Sequence, residues 1–147
     1  MKTLLSLTLV LLMASHSYAQ PKTSAFFMIG NYASPNWEKL AFDLSNGAKT
    51  ITYSYAANER GHTLQTLGTR LVKGQKGLLV KIPGTAKTYV IVQDRPGKRL
   101  QMMSEDGTYR KAFPLGYEGP IDGRGTYCAT CANEPADAFG LVNAFFR

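Results

Sequence analysis

Thr50-Ile51-Thr52-Tyr53-Ser54-Tyr55 alternates bulky apolar or aromatic side chains with hydroxyl side chains. Successive side chains of a strand point to opposite faces, so Ile51, Tyr53 and Tyr55 share one face and Thr50, Thr52 and Ser54 the other. The hexapeptide reads as a half-buried strand, built from residue types that suit a pleated surface. The same period runs outward on both sides. Upstream, Leu40, Phe42 and Leu44 alternate with Ala41 and Asp43, and Asn46-Gly47 supplies a turn. Further back, residues 26–32 form an apolar run that reads as the first strand.

Downstream, Asn58-Glu59-Arg60-Gly61 reads as a turn, residues 64–72 as a strand, and Gly74-Gln75-Lys76-Gly77 as the next turn. Leu78, Val80 and Ile82 alternate up to Pro83-Gly84, and residues 89–92 are apolar throughout, as expected of a strand buried on both faces. Arg95-Pro96-Gly97 suits a type II turn with a positive φ at Gly97. Leu100 and Met102 lead to the hairpin signal Asp106-Gly107, and Tyr109 and Phe113 continue beyond it. No long helical pattern intervenes to serve as a crossover between parallel strands. The expectation is a mainly β fold: a small antiparallel β-barrel or curved meander sheet of seven to nine strands.

The last residues change period. Asn133-Glu134-Pro135-Ala136-Asp137 has the marks of a helix start, with Asn133 as the capping side chain and proline in the first turn. On a helical wheel Phe139, Leu141, Val142, Phe145 and Phe146 fall on one arc, which predicts a C-terminal amphipathic helix packed on the sheet. The glycine-rich stretch before the cysteines reads as a long loop.

At the other end, Lys2, an apolar run over residues 4–13 and Ser17-Tyr18-Ala19 reproduce the three parts of a secretory signal peptide. The run is about half of what a spanning helix needs. Residues 1–19 are therefore expected to be removed, leaving residues 20–147 as a single β-rich domain, exported to the periplasm or secreted and not membrane-spanning. Without Lys2, seventeen basic residues become sixteen against ten acidic ones. A net positive exported protein favours anionic envelope or extracellular partners; nucleic acid is not expected there.

Cys128-Ala129-Thr130-Cys131 is the one motif with intrinsic chemistry. Export favours a local disulfide between Cys128 and Cys131. The same pair would serve a thiol-redox or copper-handling protein, and these two thiolates are the only soft metal ligands in view besides methionine sulfur. The residue after Cys131 is Ala132, where haem attachment requires histidine. Glu118 with Asp122 is an example of a carboxylate pair of the kind glycoside hydrolysis uses, but closeness in sequence is not the spatial separation that reaction needs. No Gly-x-Ser-x-Gly elbow and no phosphate cradle occur, so no catalytic residue and no cofactor is assigned. Aromatic side chains instead point to binding: Trp37, Tyr53, Tyr55, Tyr89 and Tyr109 are the ligand-binding candidates, since tyrosine works well on half-wet surfaces. The function expected is a non-enzymatic binding module for a small apolar or aromatic ligand or an anionic partner.

Overall fold

The computed structural model describes residues 20–106, 108–116 and 130–147. The expected signal at residues 1–19 lies outside these, as do Gly107, Glu118, Asp122 and Cys128. Among the described residues no helix is long and apolar enough to cross a membrane.

The alternating segments form two antiparallel sheets. The first runs β1 (Ser24–Ile29), β2 (Glu38–Asp43), β3 (Thr50–Tyr55) and β4 (Asn58–Thr63) in chain order. The second runs β5 (Gln65–Val72), β6 (Gln75–Lys81), β7 (Thr88–Asp94), β8 (Arg99–Ser104) and β9 (Arg110–Pro114). Helix α1 (Pro135–Asn143) follows and tightens into a 3-10 turn at Ala144–Phe146.

Among the described residues the ladders form these two sheets and no closed barrel. Leu64, 4% exposed, stands between β4 and β5 and donates its N–H to Ile51 O at 2.7 Å, and there the chain passes from one sheet to the other. At the far side β1 and β9 meet by one bridge, Phe27 to Leu115, with Gly116 N–H donating to Phe26 O at 2.9 Å. A Cβ on Gly116 would lie 2.3 Å from Phe26 Cε2, so only glycine permits this approach. The remaining edge of β1 is covered by residues 130–132: Thr130 O accepts from Thr23 and Ser24, and Ala132 N–H donates to Ser24 O.

Several local expectations shift. The polar stretch 58–61 is part of β4 instead of a turn, and the reversal falls on Ala56-Ala57. Likewise Gln75, Lys76 and Gly77 belong to β6, with the turn at Lys73-Gly74. In the turn after β7 the positive φ falls on Lys98 (51°), not Gly97. Asp94 Oδ1 accepts the Gly97 N–H at 3.0 Å, and Lys98 N–H closes on Arg95 O, so the side chain of Asp94 sets the turn type. Helix α1 is capped at Glu134 without a side-chain bond, so Asn133 is not its cap.

Register puts Phe27, Leu40, Phe42 and Ile51 of the first sheet on the face that meets Leu78, Val80, Ile91, Leu100, Met102 and Phe113 of the second. All ten are 2% exposed or less. The apolar arc of the helix closes this core, with Phe139 5.6 Å from Phe27 and Phe145 5.1 Å from Phe42, ring to ring. Gln93 and Arg95 both donate to Asn143 Oδ1 at 2.9 Å, and Lys49 Nζ donates to Ala144 O at 2.6 Å, which ties the helix end to both sheets. The cation also complements the carbonyls at a helix C-terminus. Phenylalanine rings therefore fill the interior at this end of the strands.

Candidate functional site

The other end of the strands is polar and aromatic. On β2 the inward row Phe42, Leu40, Glu38 runs from the helix toward this end, and its partners on β3 are Ile51, Tyr53 and Tyr55 in the same order. From the far part of the chain, Tyr109 just before β9 and Lys111 on β9 opposite Met102 approach them, and Tyr89 on β7 packs against Tyr109.

Glu38 is the centre of the group. Tyr53 donates its hydroxyl to Glu38 Oε2 at 2.8 Å, Tyr109 approaches the same oxygen at 3.5 Å, and the Lys111 ammonium donates to Oε1. The Glu38 side chain is 15% exposed and that of Lys111 38%, so this ion pair bridges the two sheets at the edge of solvent. Lys111 Nζ also lies 5.3 Å from the Tyr109 ring centre, within cation–π range.

Burial drives the Tyr53 phenol well above its ordinary range, and the hydrogen bond to Glu38 adds to the effect. The Tyr109 phenol is raised in the same way, by burial first and then by the charge of Glu38. Both are neutral donors at physiological pH. A raised folded-state pKa stabilises the fold fully below the unfolded value of 10.0 and progressively less above it. Melting temperature is accordingly expected to fall as pH rises through about 10 toward 12, and the double variant Tyr53→Phe/Tyr109→Phe to flatten that decline. Absorbance at 295 nm checks the origin, since two phenols would resist titration in the native protein and not in urea.

Around this cluster lie two openings. One, about 230 Å³, is lined by residues 35–38, Tyr53, Tyr55, Ala56 and Ala57. Tyr53 and Tyr55 stand 5.6 Å apart there, and Tyr55 stacks on His62 at 6.3 Å, making a row of three rings. His62 Nε2 accepts from Asn58 at 3.2 Å. Trp37 forms part of the wall and packs edge-on to Tyr32 at 5.1 Å. The second opening, about 450 Å³, has Tyr89 and Tyr109, edge-on at 5.2 Å, among its lining residues. The acids on its rim are already engaged. Glu105 holds Arg70 and Thr88, and Asp106 is lowered to about 2 by bonds from Ser104 and Thr108.

All five aromatic candidates thus border one of two openings: Glu38 and Tyr53 line the first, and Tyr109, which reaches Glu38, lines the second. No known family model, curated protein or solved structure matches this chain. The arrangement offers ring faces, neutral phenol donors and one compensated ion pair, which suits recognition; the Glu38 carboxylate is already bonded to Tyr53 and Lys111.

Glu38, Lys111, Asn58 and His62 were not expected as site residues. Two of them carried a readable signal. Glu38 is in phase with Leu40 and Phe42, and Lys111 with Tyr109 and Phe113, so each places a charge in an inward row. The cysteine motif is only half described. Cys131 is 4% exposed, 3.4 Å from Ser24 Oγ, while Cys128 and the pairing expected of it lie outside the described residues.

Proposed function

We propose that the chain is an exported, non-enzymatic binding module that takes a small ligand with a flat apolar or aromatic face at the Glu38 end of its sheets. One observation carries this reading: Trp37, Tyr53 and Tyr55 line an opening beside Glu38, and Tyr109, whose hydroxyl reaches the same carboxylate, lines a second opening with Tyr89. Ring faces supply contact area at little conformational cost, and the phenols and the ion pair supply orientation. The finer architecture belongs to the same proposal. The two sheets, bent at Leu64 and bridged at Phe27 and Leu115, act as one barrel-like cup with the helix as its floor.

Trp37, the single tryptophan, lines the smaller opening and makes a built-in reporter. Titration with 1-anilinonaphthalene-8-sulfonate is expected to change Trp37 emission saturably at one site per chain, with a Kd of about 1–100 μM. Tyr55→Ala is expected to weaken it at least tenfold by removing the middle ring of the row. A response that does not saturate, or one that Tyr55→Ala leaves unaltered, refutes the site.

A charge asymmetry favours an anionic partner as the second reading. Residues 65–114, the second sheet with its turns, hold ten Lys and Arg against three Asp and Glu. The thiol-redox or copper alternative turns on Cys128 and has no such support among the described residues.

A further inference from the structure

β7 is the middle strand of the second sheet and is apolar on both faces. Tyr89 and Ile91 take the inward row, so alternation turns Val90, Val92 and Asp94 outward. Val90 and Val92 are buried all the same. The register flanks Val92 with Gly77 and Gln101, and Val90 with Leu79 and Met103, and Met103 is paired in turn with Arg110. Beside Val92 this outer face holds an opening of about 240 Å³. Val72, Val92 and Met103 give it apolar walls, and Lys73 and Arg110 give it two cations. The other lining residues are Gln75 and Gln101, so no acid borders it.

We infer that this opening binds a small amphiphilic anion, a carboxylate carried on a short alkyl chain. The inference deepens the anionic reading of the second sheet and is independent of what binds at the Glu38 end. Charge decides the head group. All three acids of residues 65–114 are engaged elsewhere: Glu105 with Arg70, Asp94 with Arg99 at 2.6 Å, and Asp106 with Ser104 and Thr108. Asp94 follows Val92 in the outward row, and its pairing with Arg99 removes it as a competing charge. Lys73 and Arg110 form no ion pair among the described residues. Arg110 spends one N–H on Gln101 Oε1 at 2.7 Å, which fixes the guanidinium and leaves most of its five donors for a ligand. The walls decide the rest. A bare inorganic anion would leave Val72, Val92 and Met103 unused, and a neutral chain would leave both cations without a partner.

Isothermal titration calorimetry with octanoate tests this at low ionic strength. One site per chain is expected, with a Kd of about 0.1–1 mM, and weaker binding as salt is added. Acetate, which has the charge without the chain, and octanol, which has the chain without the charge, are each expected to bind at least tenfold more weakly. Lys73→Gln and Arg110→Gln alter exposed side chains, so both variants should fold. Each is expected to weaken octanoate about threefold and the double variant at least tenfold, whereas Lys98→Gln, an equal loss of charge outside the opening, leaves it unaltered. Tyr55→Ala is also expected to leave octanoate binding unaltered; a loss there would move octanoate to the Glu38 end and overturn the inference. So would the absence of saturable binding, or binding that the double variant retains. Binding of polyglutamate without binding of octanoate would keep the anionic reading and overturn this pocket.

Discussion

Phe27→Ala is expected to lower the unfolding free energy by about 3–5 kcal/mol, the range for emptying a large buried ring site. Phe27 is fully buried, and its ring is the joint between three units: Phe42 lies 6.2 Å away on β2, Phe139 is 5.6 Å away on the helix, and the backbone carries the bridge to Leu115. The surroundings have little freedom to collapse into the void, because the strands are held by their ladders and the helix by Asn143 and Lys49. Phe27→Leu keeps most of the volume and is expected to cost about 1–1.5 kcal/mol. Urea denaturation of the two variants and the wild type measures both values. A loss under about 1 kcal/mol for Phe27→Ala would mean that helix and sheets do not share one core.

Gly61→Ala is the second large effect, about 2–4 kcal/mol, with a separate consequence for the candidate site. Gly61 has φ +70°, where an L side chain costs about 1–2 kcal/mol. Its Cβ would also lie 2.6 Å from Tyr53 O, 2.8 Å from Ser54 Cβ and 2.9 Å from Thr52 Cγ2. The first of these is backbone and has nowhere to go, so β3 and β4 must part where the ladder shifts register between Tyr53 and Tyr55. Gly61 N–H also bonds Asn58 Oδ1 at 3.1 Å, and Asn58 holds His62, so the displacement reaches the stacked row Tyr53, Tyr55, His62. Gly47→Ala is the control. Its φ is +73° with nothing within 4 Å of the new Cβ, so it carries the conformational cost alone. The difference between the two variants in urea isolates the steric part. Gly61→Ala should weaken the naphthalene probe as well, and Gly47→Ala should not. Equal stability losses, or unaltered probe affinity in Gly61→Ala, would separate the bulge from the site.

β4 shows where strand reading fails. Asn58, Glu59, Arg60 and Gly61 look like a turn because polar residues and glycine punctuate most loops, yet an edge strand with one bulge tolerates all four. β5 fails in the opposite sense: it was legible as a strand, but nothing local indicates that it is left uncovered on nearly every residue. The aromatic candidates were legible because alternation alone puts Tyr53 and Tyr55 on one face. Their partners were not, since Glu38 and Lys111 are seventy-three positions apart and only the pairing of distant strands brings them together.

Alternation of apolar and polar side chains, a local property, determined that the chain is mainly β and antiparallel and that its last turns are an amphipathic helix. It also set which side chains share a face, because the pleat fixes the side-chain period at two whatever lies beyond the strand. Tertiary structure alone decided that the strands divide into two sheets at Leu64, that phenylalanines fill one end and tyrosines border the other, and that β5 lies exposed. Each of those depends on where residues far apart in sequence come to rest, and a pattern of period two holds no record of which strand lies beside which.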